Sequence, residues 1–193
     1  MTEAFVIIDL QRWFFRTEAR AAKLPALVPQ VNALARAAAD AGHPIVMVRT
    51  GFTADRSAWS LRMRQASAPV LINGTLDVED IDGLRLPTPL ASVLKTRHSA
   101  FVRTELESIL KNAGVGSLLL AGAFIDGCVG LTAIDGYERD FLVRIAGDAV
   151  ASVDDSQGTA MLRFLNAEFD IPTIPTHALL SDFQHARPAQ GAR

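Results

Sequence analysis

The feature that most constrains this chain is a set of four short apolar runs, each joined to the next by a stretch that contains a helical pattern. The runs are Ala4–Leu10 (AFVIIDL), Pro44–Thr50 (PIVMVRT), Ser117–Ala123 (SLLLAGA) and Phe141–Gly147 (FLVRIAG). Runs this short, rich in Val, Ile and Leu, read as strands buried on both faces. A fifth, Ile171–Thr176, is broken by Pro172 and Pro175, as an edge strand is. Ser92–Thr96 (SVLKT) is a weaker sixth. The helical patterns are Leu27–Ala41, ending at Gly42, and Thr104–Ala113, opened by a Thr104/Glu107 capping-box pattern and ended at Gly114. Asp126–Arg139 and Asp154–Phe169 complete the set. This alternation predicts a three-layer α/β/α fold with a mostly parallel, Rossmann-like six-stranded sheet.

A length of 193 residues fits one domain, placed at 1–184, with a polar tail at 185–193. Hydrophobic residues make up 49% and charged residues 21%, which argues against disorder. A net charge of −2 gives no electrostatic reason to expect nucleic acid or an anionic membrane as partner. The longest apolar stretches, such as Val115–Ile125, are too short to span a bilayer. The start, Met-Thr-Glu and then a strand, lacks the basic and apolar regions of a signal peptide. The single cysteine excludes an internal disulfide framework and Cys-cluster zinc sites, so a reducing, cytoplasmic setting is the expectation. The segment Phe52–Pro89 is long and irregular, with Asn73-Gly74 and Asp82-Gly83 turn signals, and reads as an active-site cover.

In an open α/β sheet, ligands bind beyond the carboxyl ends of the strands. Three polar residues fall there: Asp9, Lys95 and Cys128, the last just beyond the Leu-rich strand at a helix start. Singly, each has an ordinary reading, as a turn or cap aspartate, a solvated lysine and an inert core cysteine. Together on one edge, they read as catalytic. A helix N-terminus and a nearby ammonium favour thiolate. The carboxylate is then a general base, Lys95 holds it ionised, and backbone N–H groups at the helix start offer an oxyanion hole.

At these residues the sequence resembles the isochorismatase-like cysteine hydrolases. The resemblance is carried by VIIDLQRWF (Val6–Phe14), VRT (Val48–Thr50), KTRHSAF (Lys95–Phe101) and LLLAGAFIDGCVGLTAIDGYERDFLVRIAGDAVAS (Leu118–Ser152). It implies an Asp9, Lys95, Cys128 triad attacking an amide-like carbonyl through an acyl-thioester intermediate. It also implies a non-proline cis peptide at Ala123–Phe124, which would aim the Phe124 N–H, with that of Cys128, at the oxyanion. Phe124 and Ile125 replace the small or Thr residues common in the family, giving a bulkier pocket wall. The metal of the nicotinamidase branch is not expected, because the region after the second strand reads Arg49-Thr-Gly-Phe-Thr-Ala-Asp55-Arg-Ser, without histidine. His43, His98, His177 and His185 are scattered and read as surface or packing residues. No metal and no cofactor are expected, and the chain is read as other than a nicotinamidase.

The remaining candidates keep two readings each. Gln11 is a residue that orients substrate or the acid, or a plain loop polar. Phe14, with Trp13, Phe15 and Trp59, lines an apolar pocket or the core. Arg49 binds a substrate carboxylate bidentately or sits in an ion pair. Phe101 is a pocket residue only by family position, and Asp126 is preferred as the cap of the nucleophile helix. The expected activity is hydrolysis of a small amide, carbamoyl or related C–N bond. The alternatives are vinyl ether hydrolysis of the isochorismatase type and a non-catalytic ligand-binding member. A homodimer or homotetramer is expected, as is usual in the family.

Overall fold

The computed structural model describes residues 2–186. Its strands are β1 (Thr2–Ile8), β2 (Ile45–Thr50), β3 (Ala91–Lys95), β4 (Val115–Ala123), β5 (Leu142–Ala151) and β6 (Thr173–Ile174). Its helices are α1 (Glu18–Ala21), α2 (Leu24–Asp40), α3 (Leu61–Ala66), α4 (Leu106–Asn112), α5 (Gly130–Tyr137), α6 (Asp155–Phe169) and α7 (Thr176–Ala186). The strands form one six-stranded sheet in the order β3-β2-β1-β4-β5-β6, and every pairing is parallel. Strand order reverses at β1 and β4, and the crevice at such a switch point is where doubly wound folds hold ligands.

Alternate side chains of β1 feed two apolar layers. Phe5 and Ile7 pack with Leu27, Val31 and Leu34 of α2 and with Leu179 and Phe183 of α7. Ala4, Val6 and Ile8 pack on the other face with Leu106 and Leu110 of α4, Ala133 of α5 and Leu165 of α6. This period-two split is what a central strand with helices on both sides requires. Gly122 lets β4 run close to β1: it has φ +115, and an added Cβ would lie 2.0 Å from the Ile8 carbonyl oxygen. No side chain fits there.

Several local expectations are corrected. Only Thr173–Ile174 of the fifth run is strand; Thr176 instead opens α7, where its N–H and hydroxyl both donate to Asp148 Oδ1 at 2.8 and 2.5 Å. Helix α7 was unforeseen, and His185 lies within it rather than in a tail; residues 187–193 lie outside the described residues. The Thr104/Glu107 capping box does not form. Thr104 Oγ1 accepts from Leu106 N at 3.3 Å, while Glu107 turns to Lys111 and Arg139. Asp154 does cap α6, accepting from Ser156 N and Gln157 N. Strand β5 is longer than expected because its register against β4 shifts, from Leu120↔Ile145 to Gly122↔Val150.

The segment between β2 and β3 holds α3 and returns across the carboxyl edge of the sheet. Phe52 bridges Ile72, and Gln11 bridges Asp80. Among the described residues no helix is long and apolar enough to cross a membrane.

Candidate active site

Strand β1 ends at Ile8 because Asp9 turns the chain with φ 54, a left-handed conformation that Asp tolerates better than most residues. Its backbone N–H still donates to Val48 O at 2.9 Å, which fixes the carboxylate at the switch point. Thr50 and Lys95 end β2 and β3 as register partners. Strand β4 ends at Ala123, and the Ala123–Phe124 peptide is cis. Residues Ile125–Val129 form a kinked turn, with non-helical angles at Asp126 and Gly127, before α5 begins at Gly130. Cys128 thus sits on the turn ahead of the helix, not in its first regular turn.

These ends converge. Lys95 Nζ lies 2.7 Å from Asp9 Oδ2, with the two side chains 1% and 0% exposed. The ammonium directs hydrogen bonds to Thr50 Oγ1 at 2.7 Å, the Arg97 carbonyl at 3.1 Å and Cys128 Sγ at 3.2 Å. Asp9 Oδ2 is in tight ion contact with Lys95, and the Asp9 carboxylate also reaches the Cys128 thiol. Asp9 Oδ1 accepts from Thr50 Oγ1 at 2.9 Å, so the Thr50 hydroxyl relays between lysine and aspartate.

The electrostatics differ from the sequence expectation. Burial pushes the Cys128 thiol up to about 12, and the Asp9 carboxylate beside it adds to the rise, while Lys95 opposes it. Burial and Asp9 favour a protonated resting thiol over the thiolate expected from the sequence. Burial also disfavours the Lys95 charge, but Asp9 and Cys128 overcome it and raise the lysine above its ordinary value. His98, read as a surface or packing residue, places Nδ1 3.6 Å from Cys128 Sγ. Burial, Lys95 and Arg62 hold its pKa below the usual 6.5 despite Asp9.

Other candidates divide. Phe14 meets Phe124 edge-on at 5.9 Å, beside the Ile125–Val129 turn. Phe15 lies 5.7 Å from the same ring, and Trp13 lies 5.1 Å from Phe14. Trp59 is buried in the cover segment and donates Nε1 to Thr53 O at 2.9 Å. Gln11 does not face the reacting atoms. Its amide brackets the Thr50 peptide, accepting from Thr50 N at 2.8 Å and donating to Thr50 O at 2.9 Å and Val78 O at 3.0 Å. Arg49 is spent on Asp80, with Nε–Oδ1 at 2.7 Å and Nη2–Oδ2 at 2.5 Å, which leaves no fork for a substrate carboxylate. Phe101 stacks on Phe141 at 5.9 Å within the apolar layer beneath α4 and α5, away from the sheet's ligand edge. Asp126 does not cap the nucleophile helix; it accepts from Val153 N and Asp154 N and ties down the loop after β5.

Thr50 and His98 were not singled out from sequence. For Thr50 a signal existed, since it closes a strand as Lys95 does. For His98 none did beyond its distance of three residues from Lys95.

The segment after β2 does not fit a metal. The acidic side chain nearest the end of β2, Asp55, turns Oδ1 to Thr53 Oγ1, Ser57 N and Ser57 Oγ at 2.5, 3.1 and 2.7 Å. Among the described residues no three His, Cys, Asp or Glu side chains form a metal-holding group.

The sequence matches the Isochorismatase domain family over residues 3–174. The chain belongs to the isochorismatase family. This isochorismatase-family hydrolase is 30% identical over 183 residues to a probable inactive nicotinamidase of Arabidopsis thaliana, covering 89% of this chain and 92% of that protein. It is 36% identical over 92 residues to a ureidoacrylate amidohydrolase of Methylorubrum extorquens, covering 47% of this chain and 37% of that protein. Its fold superposes on a crystal structure of an isochorismatase family protein from Desulfovibrio vulgaris with a TM-score of 0.84. That match has 26% identity and covers 95% of this chain and 98% of the other.

Proposed function

We propose that this isochorismatase-family hydrolase uses Cys128 to cleave the C–N bond of a small amide, carbamoyl or related compound through an acyl-thioester. The observation that carries the reading is the buried Asp9 carboxylate, ion-paired to Lys95 and within hydrogen-bond reach of the Cys128 thiol. Such a carboxylate is placed to accept a proton.

The protonated thiol sets the order of events. Asp9 takes the thiol proton as sulfur bonds to the substrate carbonyl carbon, and the carbonyl oxygen gains the negative charge. The backbone N–H groups of Phe124 and Cys128 are the proposed donors to that oxygen. The Asp9 carboxylic acid then returns the proton to the leaving nitrogen, the C–N bond breaks, and the amine departs. Asp9 next deprotonates a water that attacks the thioester. The C–S bond breaks, and the proton returns to sulfur, restoring the thiol. Lys95 stays charged throughout, and its 3.2 Å contact with Sγ offsets negative charge on sulfur as it appears. Phe14 and Trp59 are the proposed pocket walls.

The similarity to a ureidoacrylate amidohydrolase supports the amide reading. The reading takes no metal and no cofactor, which sets it apart from nicotinamidase chemistry. A cytoplasmic homodimer or homotetramer is proposed with it; exposed Leu131, Tyr137 and Phe164 on α5 and α6 support a partner copy.

The test is a panel of small amides, ureas and carbamates with Cys128→Ala as control. Quenched turnover should leave an acyl mass on Cys128, and Cys128→Ala should abolish activity. Undiminished turnover by Cys128→Ala would overturn the thioester route.

A further inference from the structure

The chain just beyond β3 is tied to the candidate triad at two points. The Arg97 carbonyl accepts from Lys95 Nζ at 3.1 Å. Three residues on, Ala100 N donates to Thr132 Oγ1 at 3.0 Å, and that hydroxyl donates to the Cys128 carbonyl at 2.7 Å. His98 is held between these anchors, one set by the lysine and the other by the backbone of the cysteine. It is exposed, yet its Nδ1 turns in to within 3.6 Å of Cys128 Sγ.

The sulfur therefore has neighbours of two kinds. Asp9 and Lys95 are closed off from solvent, at 0% and 1% exposure, whereas His98 reaches it. The partner of the ring also sets this histidine apart. His43 and His185 turn Nδ1 to the backbone carbonyls of Glu3 and Ser181; a carbonyl only accepts, so Nδ1 carries the proton there. A thiol can donate and an acylated sulfur makes no such demand, which leaves His98 Nδ1 free to accept.

We propose that His98 is a further catalytic residue, which holds the water that hydrolyses the acyl-thioester. The inference rests on the cysteine-hydrolase reading. Water bound for the acyl group arrives from the open side of the sulfur, because Asp9 is sealed in on the other. The neutral imidazole accepts a hydrogen bond from one O–H of that water. Asp9 takes the other proton as the water oxygen bonds to the carbonyl carbon. The C–S bond then breaks, the proton passes from Asp9 to sulfur, and His98 ends neutral as it began. An imidazolium has no acceptor, so protonation of His98 stops the step. The charged groups facing the ring are Lys95 and Arg62, which oppose that protonation, and Asp9, which favours it; Cys128 faces it as a thiol.

The test uses p-nitrophenyl acetate, an activated acyl donor that loads the cysteine whatever the natural leaving group. In His98→Phe, with its fold checked by circular dichroism, the first turnover should release p-nitrophenolate at close to the wild-type rate. Later turnovers should slow at least about tenfold, the loss expected when a group acting on the water is removed. Acid quenching should then trap an acetyl mass on Cys128. Hydroxylamine, which attacks thioesters without assistance, should restore turnover, and His98→Asn, which keeps an acceptor, should recover part of it. In wild type, deacylation should slow as pH falls through the His98 midpoint measured by NMR, and His98→Phe should lose that dependence. Deacylation of His98→Phe at the wild-type rate would overturn the inference and leave the thioester reading standing. A slowed first turnover without trapped acetyl-enzyme would also overturn it, by placing His98 in acylation. No acetyl mass on Cys128 in either protein would sink the thioester reading and the inference with it.

Discussion

Lys95 Nζ stands 2.7 Å from Asp9 Oδ2 with both side chains withdrawn from solvent. Removing one partner strands the other charge, so Lys95→Met should cost about 3–5 kcal/mol of stability. The double variant Asp9→Asn/Lys95→Met should be less destabilised than the sum of its two singles, because neither residual group is a lone charge. Urea unfolding monitored by tryptophan fluorescence measures both, and additive losses would argue against the pair.

Asp9 and Lys95 pull the Cys128 thiol in opposite directions. Asp9 raises its pKa and Lys95 lowers it, within a value of about 12. Taking away the carboxylate leaves the ammonium, so Asp9→Asn should shift the thiol down. In wild type, iodoacetamide should react slowly at pH 7.5, with a rate that climbs towards the alkaline limit. In Asp9→Asn the climb should begin at lower pH, while turnover is lost. An unchanged alkylation profile would show that burial alone sets the thiol.

Gln11 satisfies the peptide of Thr50 on both sides, and Thr50 in turn bridges Lys95 and Asp9. Gln11→Ala leaves a buried N–H and a buried carbonyl without this partner, at about 1–3 kcal/mol for each unsatisfied group. Because Thr50 then drifts, kcat should fall at least tenfold with little change in KM. A rise in KM at constant kcat would instead mark Gln11 as a substrate contact.

His98 gives a direct pH readout. Burial, Lys95 and Arg62 all disfavour its charged form, so the imidazole is neutral at pH 7 and gains a proton only below its ordinary value of 6.5. NMR titration should place its midpoint below 6.5, and Arg62→Gln should move that midpoint upward. A midpoint above 6.5 would mean that Asp9 dominates its surroundings. If His98 protonation disturbs the thiol cage, the acid limb of kcat/KM should follow the same midpoint.

The parts of this site legible in the sequence are those fixed by strand ends. Asp9, Lys95 and Cys128 could be placed together because parallel strands deliver their carboxyl ends to one edge, and the structure does bring them within contact. Side chains whose partners lie far along the chain were not legible. Arg49 gave no sign of Asp80, nor Asp126 of the loop at Val153, because nothing in either local pattern encodes a distant partner. Gln11 was ambiguous for the same reason, since it meets Val78 only after the cover segment folds back. Helix α7 escaped because Leu179 and Phe183 are its fully buried apolar anchors, set in a polar stretch that follows two prolines. The thiol's ionisation was misjudged because a helix start is visible in sequence, whereas the depth of burial is not.

The high pKa of Cys128 has a consequence for durability. Peroxide and other cellular oxidants attack thiolates, carrying them towards sulfenic and then irreversible sulfinic acids. A thiol held this far above its ordinary value is protonated at neutral pH. At rest the protein therefore presents almost no thiolate for an oxidant to attack. Aspartate and a dry cage together act as a chemical safety catch on the sulfur, against the pull of lysine.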